Sequence, residues 1–289
     1  MTHPAVEVDG LEKHYGDVTA LDGIAFSAAP GEVFGLLGHN GAGKSTTIRI
    51  LTGRARPSAG RARVLGHDIP GGLEHVRHRI NLVAETPTLY ERATAKENLD
   101  LFCTLYGLPA ARGDAALERV GLVHAAKRKV KTFSTGMRQR LMLARAVINE
   151  PRVLFLDEPT RGLDPKSARD LRELVRELSR GGTTIFLTTH DMTEADVLCD
   201  RVAFLAEGRI AALDTPRALK LRLGGAPEVD VVLDDGSDLV LGLDRPDDAE
   251  RLHELVTSRR VRALHSREAT LADVFIALAG RSLDDEAGE

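Results

Sequence analysis

The sequence predicts an α/β protein built on a largely parallel sheet, with a smaller α/β unit at its C-terminal end. Strand-like and helical patterns alternate through the first two thirds of the chain, which implies parallel strands joined by helices. An apolar strand candidate, residues 32–37, runs directly into a glycine-rich loop and then a helix. A break at Gly224-Gly225-Ala226-Pro227 precedes a fresh round of short strands and helices.

Taken in order, Val6 to Leu11 alternates apolar and polar, as a half-buried strand does. A second strand is predicted over Ile24–Ala28, and Ala29-Pro30-Gly31 turns the chain into the strand at 32–37. A helix follows from Ser45 to about Leu51, then a turn at Pro57–Gly60 and a short strand to Leu65. Another strand is placed near Ile80–Val83. From Ala95 to Val120 the pattern is mostly helical, broken near Gly107-Leu108-Pro109, and a further helix runs from Ser134 to before Pro151. Arg152–Leu156 is a buried strand candidate. The clearest helix has Asp164 as N-cap and Pro165 in its first position, where the missing N–H costs nothing. Leu171, Leu174, Val175 and Leu178 form its apolar stripe and Gly181 ends it. Strands at Thr184–Leu187 and Arg201–Ala206 follow. Past the break come strand Glu228–Leu233, turn Asp234–Gly236, strand Leu239–Leu243, helix Asp247–Arg259, strand Val261–His265 and helix Leu271–Ala279. Thr270 and Asp273 form a capping-box pattern.

The 289 residues suffice for one large and one small domain, and 43% hydrophobic content supports a sizeable core. A net charge of −4 argues against a general polyanion binder, so no nucleic-acid partner is expected. Two cysteines, Cys103 and Cys199, have neither metal spacing nor a disulfide framework, which suits a reducing compartment. No apolar run approaches the ~18 residues needed to span a bilayer, and the charged N-terminus is unlike a secretory signal.

Gly38-His39-Asn40-Gly41-Ala42-Gly43-Lys44-Ser45-Thr46 has the spacing of a phosphate-binding loop, in the strand-loop-helix context that such a loop requires. Glycines let successive N–H groups converge on one concavity, and the helix adds the positive end of its dipole. Lys44 reaches the β- and γ-phosphates and the Ser45 hydroxyl ligates Mg²⁺. A second apolar strand, 153–156, ends in Asp157-Glu158. Asp157 there holds Mg²⁺ through water, and Glu158 orients or deprotonates the water that attacks the γ-phosphate. Ser134 opens a helix whose N-terminus is suited to face phosphate.

With Phe133-Ser134-Thr135-Gly136-Met137 the chain resembles the nucleotide-binding subunits of ABC transporters, at the place of their Leu-Ser-Gly-Gly-Gln signature. Ser134 and Gly136 keep the serine and second glycine that contact γ-phosphate in that family. Tyr15 matches the aromatic that stacks on adenine, Arg161-Gly162-Leu163-Asp164 the loop that crosses the dimer interface, and Thr188-Thr189-His190 the histidine that reads the γ-phosphate. The resemblance covers residues 4 to about 220 and is closest to the branch exporting drugs, lipids, polysaccharides or sodium; the remainder resembles that branch's C-terminal extension.

One position departs. Where the family has a glutamine touching Mg²⁺ and the membrane partner, this chain has Glu85, a carboxylate that ligates Mg²⁺ but cannot donate a hydrogen bond when ionised. The resemblance implies an ABC cassette over 1–223, with a mixed sheet core and a helical subdomain at about 86–150, followed by a C-terminal domain at 227–289. It also implies ATP and Mg²⁺ as ligands and a head-to-tail homodimer with two ATP molecules between the copies. Its partner would be a separate transmembrane permease docked at 86–91 and the helices to Gly107, on the cytoplasmic face of the membrane. Two rivals from other classes are a soluble ABC ATPase acting in regulation or on a nucleic-acid machine, and an interaction subunit with a dead site. The first usually carries two cassettes or long coiled coils; the second is opposed by the presence of Lys44, Asp157, Glu158 and His190. A P-loop kinase would leave Ser134, Gly136 and His190 without purpose.

Overall fold

A computed structural model describes residues 3–86, 88–225, 228–267 and 269–286. The chain divides into two compact units, Met1–Leu213 and Asp214–Glu289.

The first unit opens with β1 (Val6–Tyr15) and β2 (Val18–Ala28). Both run longer than the alternation predicts, because pairing continues across register shifts to Tyr15↔Val18, beside a tight turn. Next come β3 (Val33–Leu37), α1 (Lys44–Leu51), β4 (Ala59–Val64), β5 (His67–Asp68), α2 (Leu73–Val76) and β6 (Ile80–Val83). Helices α3 (Ala95–Tyr106), α4 (Ala111–Arg119) and α5 (Thr135–Val147) follow. The unit finishes with β7 (Val153–Asp157), α6 (Pro165–Arg180), β8 (Thr184–Thr189), α7 (Met192–Leu198), β9 (Arg201–Ala206) and β10 (Arg209–Asp214).

The strands form two sheets. One has the order β10-β9-β3-β8-β7-β6, with β9, β3, β8, β7 and β6 paired in parallel. The other, β2-β1-β4-β5, is antiparallel. The core is therefore mixed: short connections within the first 70 residues permit hairpins, whereas the later strands are separated by helical crossovers. Phenylalanines join the two sheets. Phe26 of β2 stacks on Phe34 of β3 at 5.1 Å and on Phe186 of β8 at 5.6 Å between ring centroids. A separate apolar cluster, including Leu99, Cys103, Leu117, Val130 and Leu141, binds α3, α4 and α5 together.

Helices α3 and α6 carry side-chain caps at their starts. Thr94 and Glu97 form a capping box on α3. Asp164 accepts the Ser167 N–H at 2.9 Å on α6, which stops at Gly181. Of its expected stripe, Leu171, Val175 and Leu178 are buried; Leu174 is half-buried against the α3–α5 cluster.

The second unit contains α8 (Pro216–Leu223), β11 (Glu228–Leu233), β12 (Asp238–Gly242), α9 (Pro246–Thr257), β13 (Val261–Arg267) and α10 (Leu271–Glu286). Its sheet has the antiparallel order β12-β11-β13, and Val229, Val231, Leu233 and Leu241 pack with Leu255 of α9. The two units part at Leu213, ahead of the glycines at 224, because α8 packs against α10 and so belongs to the second unit. Ala226 and Pro227 of the expected linker lie outside the described residues, as does Pro87. Thr270 and Asp273 exchange capping hydrogen bonds at the start of α10.

Candidate functional site

The carboxyl ends of three neighbouring parallel strands meet on one edge of the sheet. Leu37 of β3 pairs with Thr189 of β8, and Asp157 of β7 pairs with Thr188. Ligands of open parallel sheets bind at this edge. The loop after β3 curls over it and ends at Gly43, in the left-handed region at φ 110°; a Cβ there would stand 2.4 Å from the Ala20 carbonyl. Only glycine fits. Gly38 is held by a close approach: its Cβ would meet the Leu205 carbonyl at 2.3 Å. From Lys44 the chain becomes α1, whose first-turn N–H groups have no acceptor within the helix and point towards the loop.

A cavity of about 290 Å³ opens there, lined by His39, Asn40, Gly41, Gly43, Lys44, Ser45, Thr46, Glu85, Glu158 and Arg161. Its size approaches that of a small-ligand pocket. Lys44 is buried; its Nζ donates to the Gly38 carbonyl at 2.6 Å and the His39 carbonyl at 3.1 Å. It also lies 3.2 Å from Glu158 Oε1. Glu158 Oε2 meets His190 Nδ1 at 2.7 Å, so one buried carboxylate is shared between a lysine and an imidazole. Glu158 takes the left-handed conformation, φ 51°, at the end of β7. A non-glycine residue pays for this with local strain, which functional sites commonly carry. Asp157 Oδ1 accepts from Thr188 Oγ1 at 2.6 Å and from Ser45 Oγ at 3.3 Å.

The predicted site residues thus fall into two groups. His39 to Thr46, Glu85, Glu158 and, through their contacts, Gly38, Asp157 and His190 converge on one place; Ala42 is buried beneath it. Tyr15, Ser134 and Gly136 do not line the cavity. Tyr15 is half-exposed, with Lys13 Nζ 4.7 Å above its ring. Ser134 caps α5 by accepting the Met137 N–H at 3.3 Å, and a Cβ on Gly136 would strike Ser167 Oγ at 2.5 Å. The glycine there lets α5 approach α6.

Three polar residues near this edge are not singled out as site residues by the sequence, although Arg161 and Thr188 fall inside motifs that the resemblance marks. Arg161 lines the cavity and ion-pairs with Glu85. Thr188 holds Asp157; its sequence signal is its place directly before Thr189-His190 at the end of β8. Glu194, in the first turn of α7, is buried with neither carboxylate oxygen hydrogen-bonded. Burial pushes its carboxyl pKa up, and the nearby charges of Asp191 and Glu158 push the same way.

The sequence profile of the ABC transporter family matches residues 21–161. A fluoroquinolones export ATP-binding protein of Mycobacterium tuberculosis is 42% identical over 96% of this chain and 94% of its own length. A Nod factor export ATP-binding protein of Paraburkholderia xenovorans is 40% identical over 99% of this chain and all of its own. Among solved structures, the ATP-binding subunit of an ABC transporter aligns with TM-score 0.69 and 33% identity, over 76% of this chain and 93% of that one. A dimeric ATP-binding cassette in a post-hydrolysis state with ADP and Pi aligns with TM-score 0.66 and 25% identity, over 73% of this chain and 98% of that one.

Proposed function

This chain belongs to the ABC transporter family, and on that premise we propose that it hydrolyses ATP to power a separate membrane permease that exports a drug, lipid or other hydrophobic solute. The observation that carries the proposal is the convergence of Lys44, Ser45, Asp157, Glu158 and His190 on the strand edge beneath the glycine loop. The names of the relatives at about 40% identity, exporters of fluoroquinolones and of Nod factor, support export over import.

In this reading the triphosphate lies along residues 38–46, with the loop N–H groups and α1 facing its oxygens. Lys44 moves its charge from Glu158 to phosphate. Glu158, relieved of the lysine, orients the attacking water and accepts its proton, while His190 steadies the carboxylate from the other side. The donor set fits Mg²⁺: Ser45 Oγ and Asp157 Oδ1 are hard oxygens side by side, and no cluster of three or more metal-binding side chains competes among the described residues. Ser45, Asp157 and Glu85 would hold the ion, which when bound neutralises charge on the phosphates.

Tyr15 is assigned to the adenine. Ser134 and Gly136 are assigned to the nucleotide of a second copy, since they lie outside the cavity of their own chain. The dimeric neighbour supports dimerisation; the arrangement assigned to this chain is a head-to-tail homodimer. No described helix is long and apolar enough to cross a membrane, so the permease supplies the span and this subunit docks on its cytoplasmic face, through residues 86–91 and the helices to Gly107. No nucleic-acid partner is proposed.

The test is Glu158→Gln. It is expected to bind ATP, to hydrolyse it at least ~10²-fold more slowly, the scale of a lost general base, and to accumulate as an ATP-dependent dimer on size-exclusion chromatography. A variant that stays monomeric and turns over ATP at the wild-type rate defeats the assignment.

A further inference from the structure

Two cation–carboxylate pairs line the same cavity. Lys44–Glu158 is buried, with 6% of each side chain exposed; Arg161–Glu85 is half-open, with 48% and 41% exposed. The open pair joins two loops. Glu85 follows β6, and Arg161 follows β7, its backbone N–H donating to the Glu158 carbonyl at 3.2 Å. The parent strands are neighbours, locked in register through Val83↔Leu156. Arg161 is therefore tied by its backbone to the residue that meets Lys44 and His190, and by its side chain to the loop that departs towards α3.

The charges of the four residues balance, two positive and two negative. A triphosphate entering the cavity upsets that balance: both cations gain a partner and both carboxylates face repulsion. Guanidinium presents a planar fork that matches phosphate oxygens, and a charge-assisted bond to phosphate outweighs a solvent-screened pair with a carboxylate. The arginine at this place also answers the carboxylate at 85. Without Arg161, Glu85 would be an uncompensated negative charge in a pocket built for phosphate.

We propose that Arg161 is a second phosphate-binding cation of this site and that Glu85 latches it, the nucleoside triphosphate breaking the Glu85–Arg161 pair as it binds. The proposal rests on the nucleotide reading of the cavity. Released from Arg161, Glu85 becomes free to turn towards the metal. The loops after β6 and β7, joined before binding, are uncoupled after it.

The experiment measures binding of a fluorescent ATP analogue to the full chain in EDTA, which removes any metal role of Glu85. Arg161→Gln is expected to weaken binding roughly five-fold, the scale of one screened charge contact. Glu85→Gln is expected to tighten it by a similar factor. The double variant should match R161Q alone, because Glu85 acts only through the arginine. Each difference should shrink as salt is raised, and AMP should show none of them. Wild-type affinity in Arg161→Gln overturns the proposal, as does tightening by Glu85→Gln that persists in the R161Q background. If Arg161→Gln fails to fold by circular dichroism, Arg161→Lys carries the test: it keeps the charge and loses the fork, and unchanged affinity there overturns the forked contact. Lys44→Ala separates the two readings. If it binds as wild type, the nucleotide site itself is wrong; if it alone loses binding, only the latch falls.

Discussion

Glu194, in the first turn of α7, is a buried acid whose ionised form the fold disfavours. The residue is 1% exposed, neither carboxylate oxygen is hydrogen-bonded, and it shares its surroundings with the charges of Asp191 and Glu158. Burial raises its pKa in the folded state, so the native protein holds a proton there that the unfolded chain has released. The sign follows from linkage: the stability tied to this group is fully present below the unfolded-state pKa and is lost as pH rises through the raised folded value. Unfolding free energy should therefore decline as pH rises from the unfolded-state pKa through the raised folded value, by up to about 1.4 kcal/mol per pH unit for one proton. Glu194→Gln should flatten that slope, as read from urea melts at a series of pH values. An unchanged slope in the variant would place the titration elsewhere.

At the scale of elements, the two sheets share one apolar core, and a group of stacked aromatic rings lies within it. Phe186 contacts Phe26, Phe34 and Phe155 at 5.6, 5.7 and 5.8 Å, and is fully buried. Phe186→Ala should cost about 3–5 kcal/mol, the usual penalty for a large aromatic removed from a close-packed interior, measured by denaturant unfolding. A loss below about 1 kcal/mol, in the range of ordinary surface substitutions, would mean that the rings contribute little to the core the sheets share. Elements with strong local signals were legible in the sequence: β3 with its loop and α1, β7 with its two carboxylates, and α6 with Asp164, Pro165 and Gly181. What stayed hidden depends on distant partners or on too few residues. The short strand β5 and the single-turn α2 are shorter than any periodicity, and α7 begins on its Asp191 cap without an apolar stripe. The ends of β1 and β2 are set by cross-strand pairing, and Arg161 becomes a pocket residue only once β6 and β7 stand side by side.

For the whole molecule, the boundary before α8 has consequences that a cut in the glycine stretch would not. A chain ending at Leu213 should be soluble and bind ATP as the full chain does, since each side chain of the cavity comes from the first unit. A chain ending at Leu223 keeps α8, whose Leu219 is fully buried in the intact protein, but removes α10, the helix it packs against; it should elute as aggregate on size-exclusion chromatography. Loss of binding in the shorter chain, or equal behaviour of the two, would contradict the division. The stacked rings beneath the strand edge have a mechanical meaning as well. Close-packed interiors are nearly incompressible, so the sheet that carries Asp157, Glu158 and His190 is a fulcrum and cannot itself flex with each turnover. A displacement over that edge would pass through the tether that succeeds β6, and the lever arm at its far end is the layer of α3, α4 and α5, stiffened by an apolar cluster of its own.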